Sequence, residues 1–128
     1  MRFVPSLVHG LADYVCGAFL LAGPILLQEP EPARHAIMMI GSLVLLNSVL
    51  TDYEAGIHRL LPLRIHLCFD TILGAAVLAL SLILTLSPVM AVMAWLSGLL
   101  TVALATTTKF PRRRLEQRRL VGPGAPRQ

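Results

Sequence analysis

Four long apolar runs divide the chain, at residues 7–27, 36–51, 65–86 and 89–108. His9 and Asp13 interrupt the first and His66 and Asp70 the third, whereas the second and fourth carry no charge. The apolar residues continue round every side of each run, and membrane-spanning strands would instead alternate apolar with polar. Only helices and closed barrels satisfy their own backbone in lipid. The pattern therefore predicts an all-α polytopic membrane protein with four transmembrane helices. Crossing about 30 Å of hydrocarbon takes roughly 17–25 residues. The second run is short by that measure, so it is expected to continue through Asp52 and Tyr53 or to sit where the bilayer is thin. The links are short, QEPEPAR over residues 28–34 and a bare Ser87-Pro88 between the last two runs. They predict two antiparallel helical hairpins in an up-down bundle, with Pro24 and Pro88 shaping the turns.

Composition sharpens this picture. Only 14% of the 128 residues are charged and 55% are hydrophobic, against about 25% charged in soluble domains. That argues against a soluble enzyme, a disordered chain and a secreted disulfide scaffold. Cys16 and Cys68 both lie in apolar stretches and form no CxxC, so no redox chemistry is implied. Four spans put both termini and the middle link on one side, together with Arg2, Arg59, Arg64, Lys109, Arg112, Arg113, Arg114, Arg118, Arg119 and Arg127. Arg34 alone faces them, beside Glu29 and Glu31. The positive-inside rule then predicts cytoplasmic N- and C-termini. His9 and Asp13 break the apolar region that a cleaved leader would need, so the N-terminus is expected to be retained.

The sequence repeats at a spacing of 57 residues. His9, Asp13 and Gly17 form HxxxDxxxG, and His66, Asp70 and Gly74 form it again; Gly41 falls on Gly98 and Thr51 on Thr108. Asp52 meets Lys109 and Tyr53 meets Phe110, where the halves have diverged. Duplication of a helix pair explains the match. Repeat one covers about 7–53 and repeat two about 64–110, parallel about an axis along the membrane normal, and a basic tail follows from 109 to 128. Over residues 7–110, HGLADYVCGAFLLAGP and TDYEAGIHRLLPLRIHLCFDTILGAAVLALSLILTLSP resemble the SPW-repeat family of small bacterial membrane proteins. In that family a Ser-Pro-Trp motif ends the first helix of each pair; here Gly23-Pro24 and Ser87-Pro88 stand there with no tryptophan following. The resemblance implies a structural description and the bacterial inner membrane, with no activity attached.

His, Asp and Gly at i, i+4 and i+8 line one stripe of a helix. Asp13 lies roughly 21 Å from the outer end of its span at about 1.5 Å per residue, hence ~10 Å inside the cytoplasmic boundary. The topology gathers His9, Asp13, Asp52, Glu54, His66 and Asp70 toward that side, with His58, Arg59 and Arg64 in the adjoining link. Ionisable groups there carry a penalty of about 2.5–3.5 kcal/mol on insertion scales, so they need partners. The first reading is a structural network. Each aspartate pairs with the histidine one turn away, with Arg59 or Arg64, or with Tyr and Thr hydroxyls, and draws on the positive end of its helix dipole. Gly17 and Gly74 then let helices pack closely beside it. The alternative is a metal site in which His9, Asp13, Glu54, His66 and Asp70 offer ligands suited to zinc, iron or manganese. A tetrapyrrole on His9 and His66 fits poorly beside two aspartates. Proton or ion transport finds only Asn47, Ser42, Ser81, Ser48 and Thr85 beyond the cluster, a thin path for a pore.

The other polar and soft residues read as packing. Asn47 is expected to make an interhelical hydrogen bond, and His35 to be solvated at the outer surface with no partner. Trp95 is expected to contact lipid or to pack. Met38, Met39, Met90 and Met93 fit core or lipid contact better than a copper site. The tail starts KFPRRRLEQRR, which predicts a membrane-surface helix through Gln117. Arg59, Arg64, Arg112, Arg113 and Arg114 are the candidate contacts to anionic lipids, each worth about 1 kcal/mol. Nothing in the chain carries the aromatic interleaving of a nucleic-acid binder. Gly74, Ala75, Ala76 and Ala79 are small enough for helix–helix packing within one chain or between chains. The expected function is thus a non-enzymatic accessory subunit of a membrane assembly, or a homo-oligomer, with a metal-binding protein or metal-dependent enzyme as the alternative.

Overall fold

The computed structural model describes residues 4–52 and 55–109. It contains four helices, α1 (Ser6–Leu26), α2 (Ala33–Leu50), α3 (Leu63–Ile83) and α4 (Pro88–Thr107), each long and apolar enough to cross a membrane. The fold is that of a four-helix membrane protein. α1 packs on α2 and α3 on α4 as hairpins, and α1–α4 and α2–α3 contacts join the two hairpins. α1 and α3 therefore stand diagonally opposite.

The outward faces of the helices are apolar, and the interior combines buried polar side chains with an apolar cluster, unlike the polar-outside pattern of a soluble bundle. On α1 the buried positions are Ser6, His9, Gly10, Asp13, Cys16, Gly17, Leu20, Gly23 and Pro24, spaced by about one turn. Leu7, Val8, Leu11, Val15 and Phe19 face outward. Because lipid tails are as apolar as leucine, such an interior forms through close packing and internal hydrogen bonds rather than through burial of oily surface. The close packing centres on glycine. An added Cβ on Gly41 would lie 2.6 Å from Leu21 N and 2.7 Å from Leu20 C, and one on Gly17 would meet Leu45 Cγ at 2.7 Å. Gly74 and Gly98 repeat this crossing in the second hairpin, each Cβ position 3.0 Å from the other's carbonyl oxygen.

The 57-residue repeat is visible in the backbone as well. Val4 N–H donates to Thr107 O at 3.1 Å, and Lys109 N–H to Val4 O at 2.9 Å. At the equivalent positions, Leu61 N–H donates to Leu50 O at 2.9 Å, and Asp52 N–H to Leu61 O at 2.8 Å. Two isolated parallel bridges result, Val4 with Thr108 and Leu61 with Thr51. Each ties the residue ahead of one hairpin's first helix to the end of the other hairpin's second helix. Pro5 and Pro62, which precede α1 and α3, belong to the same repeat.

Several helix boundaries differ from the apolar pattern. α3 stops at Ile83, so residues 84–87, rather than Ser87-Pro88 alone, make the last link. Leu84 and Leu86 are apolar, and hydropathy could not separate turn from span there. Ser87 caps α4 by accepting from Met90 N–H at 3.3 Å, and Pro88 is the first helical residue, where its missing N–H loses nothing. α2 gains length at its start, from Ala33, and ends at Leu50 instead of running on through Asp52; Tyr53 lies outside the described residues. The link after α2 folds back, with Ile57 and His58 N–H both reaching Val49 O, which satisfies carbonyls that the helix end leaves open. Tyr14 Oη pins this link by donating to Ala55 O at 3.0 Å.

At the opposite end, Gln28 takes a left-handed φ of 53°. Glu29 N–H bonds back to Pro24 O and Gln28 N–H to Ile25 O, a Schellman closure of α1. Glu29, only 2% exposed, accepts from the Ser87 hydroxyl and from Ser87 N–H at 3.1 Å, joining the two outer links. His35 is not partnerless. Although largely exposed, its Nδ1 pairs with Glu31 Oε2, because the earlier start of α2 puts it one turn from that carboxylate. Arg34, bonded to Glu31 Oε1 at 3.0 Å, and His35 together hold the Glu31 carboxyl below its ordinary range.

The glycine crossing makes a direct prediction. Gly41→Ala forces α1 and α2 apart and destabilises the protein by about 1–3 kcal/mol, as overpacking does. Gly23→Ala meets only the flexible ends of Met93 and Met90, at 3.3 and 3.4 Å, and stays near wild type. Thermal unfolding followed by circular dichroism in detergent distinguishes the two.

Candidate metal centre

At the end of the bundle that carries both bridges, α1 and α3 each aim a histidine and an aspartate across the diagonal. His9, Asp13, His66 and Asp70 are at most 1% exposed. His9 Nε2 lies 2.9 Å from Asp70 Oδ2 and 3.1 Å from Asp13 Oδ2. His66 Nε2 lies 3.0 Å from Asp70 Oδ2 and 3.2 Å from Asp13 Oδ2. The four atoms make a closed ring in which nitrogen and oxygen alternate. The i, i+4 spacing supplies one His–Asp edge from each helix, and the repeat supplies the other two.

The surroundings decide the state of His9. Thr108 Oγ1 donates its proton to Leu104 O at 2.6 Å. At 2.7 Å from His9 Nδ1 the same oxygen must then accept, so Nδ1 carries the hydrogen. Nε2 thus faces the two carboxylates with either a second proton or a lone pair. A single N–H cannot point along both directions, and only the Asp70 contact has hydrogen-bond geometry. A lone pair opposite two carboxylates is satisfied by a cation between them or by a proton on a carboxyl oxygen. Fixing Nδ1–H on an oxygen so that Nε2 is free to ligate is the usual second-sphere arrangement of a metal-bound histidine.

Asp70 is held from behind as well. Asn47 Nδ2 donates to Asp70 Oδ1 at 2.8 Å and lies 3.3 Å from His66 O, the interhelical bond expected of it. The repeat puts Leu104 at the place of Asn47, and Asp13 Oδ1 accepts no hydrogen bond among the described residues. Thr51, the counterpart of Thr108, is fully buried and likewise donates to the carbonyl four residues back, Asn47 O, at 2.6 Å.

The spacing fits an ion. Metal–ligand bonds of about 2.0–2.1 Å give ligand–ligand edges of about 3.3 Å in a tetrahedron and about 2.9 Å in a square. The ring edges of 2.9, 3.0, 3.1 and 3.2 Å lie between those values, which is also the span of a hydrogen bond, and the four atoms all lie within 4.8 Å of one another. The set can hold a metal ion. It cannot grip a tetrapyrrole: the imidazole rings stand edge to face with centroids 5.2 Å apart, and both Nε2 atoms face the same carboxylate pair.

Other residues named from the sequence lie elsewhere. Asp52 is outside the ring, on the link, where its N–H serves the bridge to Leu61. Glu54 and Arg112, Arg113 and Arg114 lie outside the described residues, as does the tail helix through Gln117. His58, Arg59 and Arg64 are exposed on the surface, outside the ring. One turn further in, Cys16 meets Ser97 and Thr101, but Leu20, Val44, Val77, Ile37, Ile40, Met90 and Ala94 then fill the interior as an apolar plug. Ser42 faces outward and bonds to Met38 O, and Ser81 bonds to Leu78 O; neither extends a polar path. Thr108 was legible in the sequence only as a repeated residue, and its role as acceptor for His9 was missed.

Fold and site together define a four-helix membrane protein with a buried His2Asp2 cluster able to hold a metal ion. The chain matches no family model, no curated protein and no solved structure in comparisons with each.

The hydrogen-bond assignment is checked by two substitutions. Thr108→Val deprives His9 Nδ1–H of its acceptor, and Asn47→Leu strips Asp70 Oδ1 of its donor. Each lowers stability by about 1–3 kcal/mol, as expected for a buried polar group left unpaired. An unchanged unfolding midpoint in Thr108→Val would overturn the tautomer assigned to His9.

Proposed function

We propose that this chain is a small bacterial inner-membrane protein, allied to the SPW-repeat family, that binds one divalent transition-metal ion between its two repeats. The observation that carries the reading is the ring of two imidazole nitrogens and two carboxylate oxygens with edges of 2.9–3.2 Å. Two buried carboxylates need two positive charges nearby. One divalent ion supplies both, while neutral histidines complete its shell without adding charge. Imidazole and carboxylate without thiolate suit zinc, iron or manganese.

A shell closed by protein ligands is the mark of a structural site, whereas catalytic sites keep a position open. The ion acts as a staple between diagonal helices, and the protein is non-enzymatic, serving in a homo-oligomer or as an accessory part of a larger membrane assembly. Its ligand-bearing end faces the cytoplasm under the positive-inside rule. Arg59, Arg64 and the basic tail there meet anionic headgroups. No transport role is assigned, because the apolar plug closes the interior beyond Cys16.

Protein purified gently in detergent should contain about one divalent ion per chain by elemental analysis, as a single closed site requires. His9→Ala combined with His66→Ala should lose it, and chelation should lower the wild-type unfolding temperature. A metal-free, well-folded wild type whose stability ignores chelator and added metal would leave the cluster as a hydrogen-bonded tie alone. For orientation, a reporter fused after residue 128 should be active only in the form that works in the cytoplasm.

A further inference from the structure

The two halves of the centre are not equivalent, and the difference bears on coordination. Asp70 offers the ring one oxygen, Oδ2, while Asn47 occupies Oδ1 at 2.8 Å. Asp13 also turns Oδ2 to the ring, 3.1 and 3.2 Å from the two Nε2 atoms. Neither of its oxygens has a hydrogen-bond partner among the described residues, and Oδ1 has no ring contact either, although the side chain is only 1% exposed. The repeat explains why. Position 104, which corresponds to Asn47, is leucine and has no donor to give. A buried carboxylate oxygen left unpaired carries a penalty of about 1–3 kcal/mol or more for a charged group, and a ligating carboxylate ordinarily has its second oxygen held.

We infer that Asp13 binds the ion through both oxygens, giving the site five protein donors: His9 Nε2, His66 Nε2, Asp70 Oδ2 and the two oxygens of Asp13. This rests on the metal reading above and adds to it a stated coordination number. It assigns Asn47 the task of keeping Asp70 one-oxygen, and Leu104 that of leaving Asp13 free to chelate. A five-donor shell of two nitrogens and three oxygens suits ions that tolerate more than four ligands, iron(II) and manganese(II), better than strictly tetrahedral zinc.

Cobalt(II) is the probe, since its visible bands are intense with four donors and weaker with five. Cobalt-loaded full-length protein should show the weaker five-donor spectrum. In Leu104→Asn, the new amide restores the symmetry of the repeat and withdraws Asp13 Oδ1, so the bands should strengthen to the four-donor form. Asp13→Asn should weaken cobalt binding at least tenfold more than Asp70→Asn, because it disturbs two donors instead of one. This comparison stands even if Leu104→Asn fails to fold. An intense four-donor spectrum in the wild type would overturn the inference. So would a five-donor spectrum that persists in Leu104→Asn, which would make water the fifth donor, or equal losses in the two aspartate variants. If cobalt does not bind the wild type, or binds equally well to the His9→Ala, His66→Ala variant, it is the metal reading itself that fails.

Discussion

Two carboxylates in the interior of a lipid-facing bundle set the terms for the rest of the structure. Neither Asp13 nor Asp70 can reach water, and a lone ionised carboxylate is among the least tolerable groups in such a place. Each must lie against a partner that offsets its charge, and among the described residues the groups facing both carboxylates are the imidazoles of His9 and His66. This requirement draws α1 and α3 together across the diagonal of the bundle, although their backbones are not neighbours. It also explains why the buried stripe of α1 is its less apolar side. In lipid, helices gain little by hiding leucine from the surroundings, and a polar tie supplies the specificity that oily burial provides in water.

The packing around that tie obeys the repeat closely. Gly17 against Gly41, and Gly74 against Gly98, let each hairpin close until backbone meets backbone. The paired bridges at Val4 and Leu61 then lock the start of each repeat onto the end of the other. This leaves Thr51 and Thr108 at equivalent buried positions at the terminal end, and Thr108 fixes the tautomer of His9. Divergence between the halves is concentrated where it changes chemistry. Asn47 against Leu104 makes one aspartate held and the other unsupported, an asymmetry that two identical repeats could not produce.

Much of this was legible in the chain. Four charge-poor runs can only be membrane helices, and HxxxDxxxG twice at one spacing put four ionisable side chains at one depth. Less was legible where apolar residues serve as turns. Leu84 and Leu86 look like span and are link, and the start of α2 at Ala33 was hidden behind Arg34 and His35. Asp52, which shares the side of the membrane with the cluster, lies outside it, on the link where its N–H bonds to Leu61 O. Residues can be assigned to one end of a bundle by counting, but whether they point inward depends on rotation about the helix axis and on the backbone beyond its end.

The sequence by itself determined the fold class and the pairing of helices into hairpins, because helical periodicity and the need to satisfy a backbone in lipid leave few alternatives for the spans. It put His9, Asp13, His66 and Asp70 among a wider set of candidates that also held Asp52 and Glu54, because those constraints do not fix which side chains of one end meet. Only the tertiary structure decided that α1 and α3 are diagonal partners, that the four ligand atoms close into a ring about 3 Å on an edge, and that Thr108 and Asn47 stand behind them. Those are distances between atoms far apart in the chain. They are set by how closely glycine lets the helices approach and by where a buried charge finds its counter-charge.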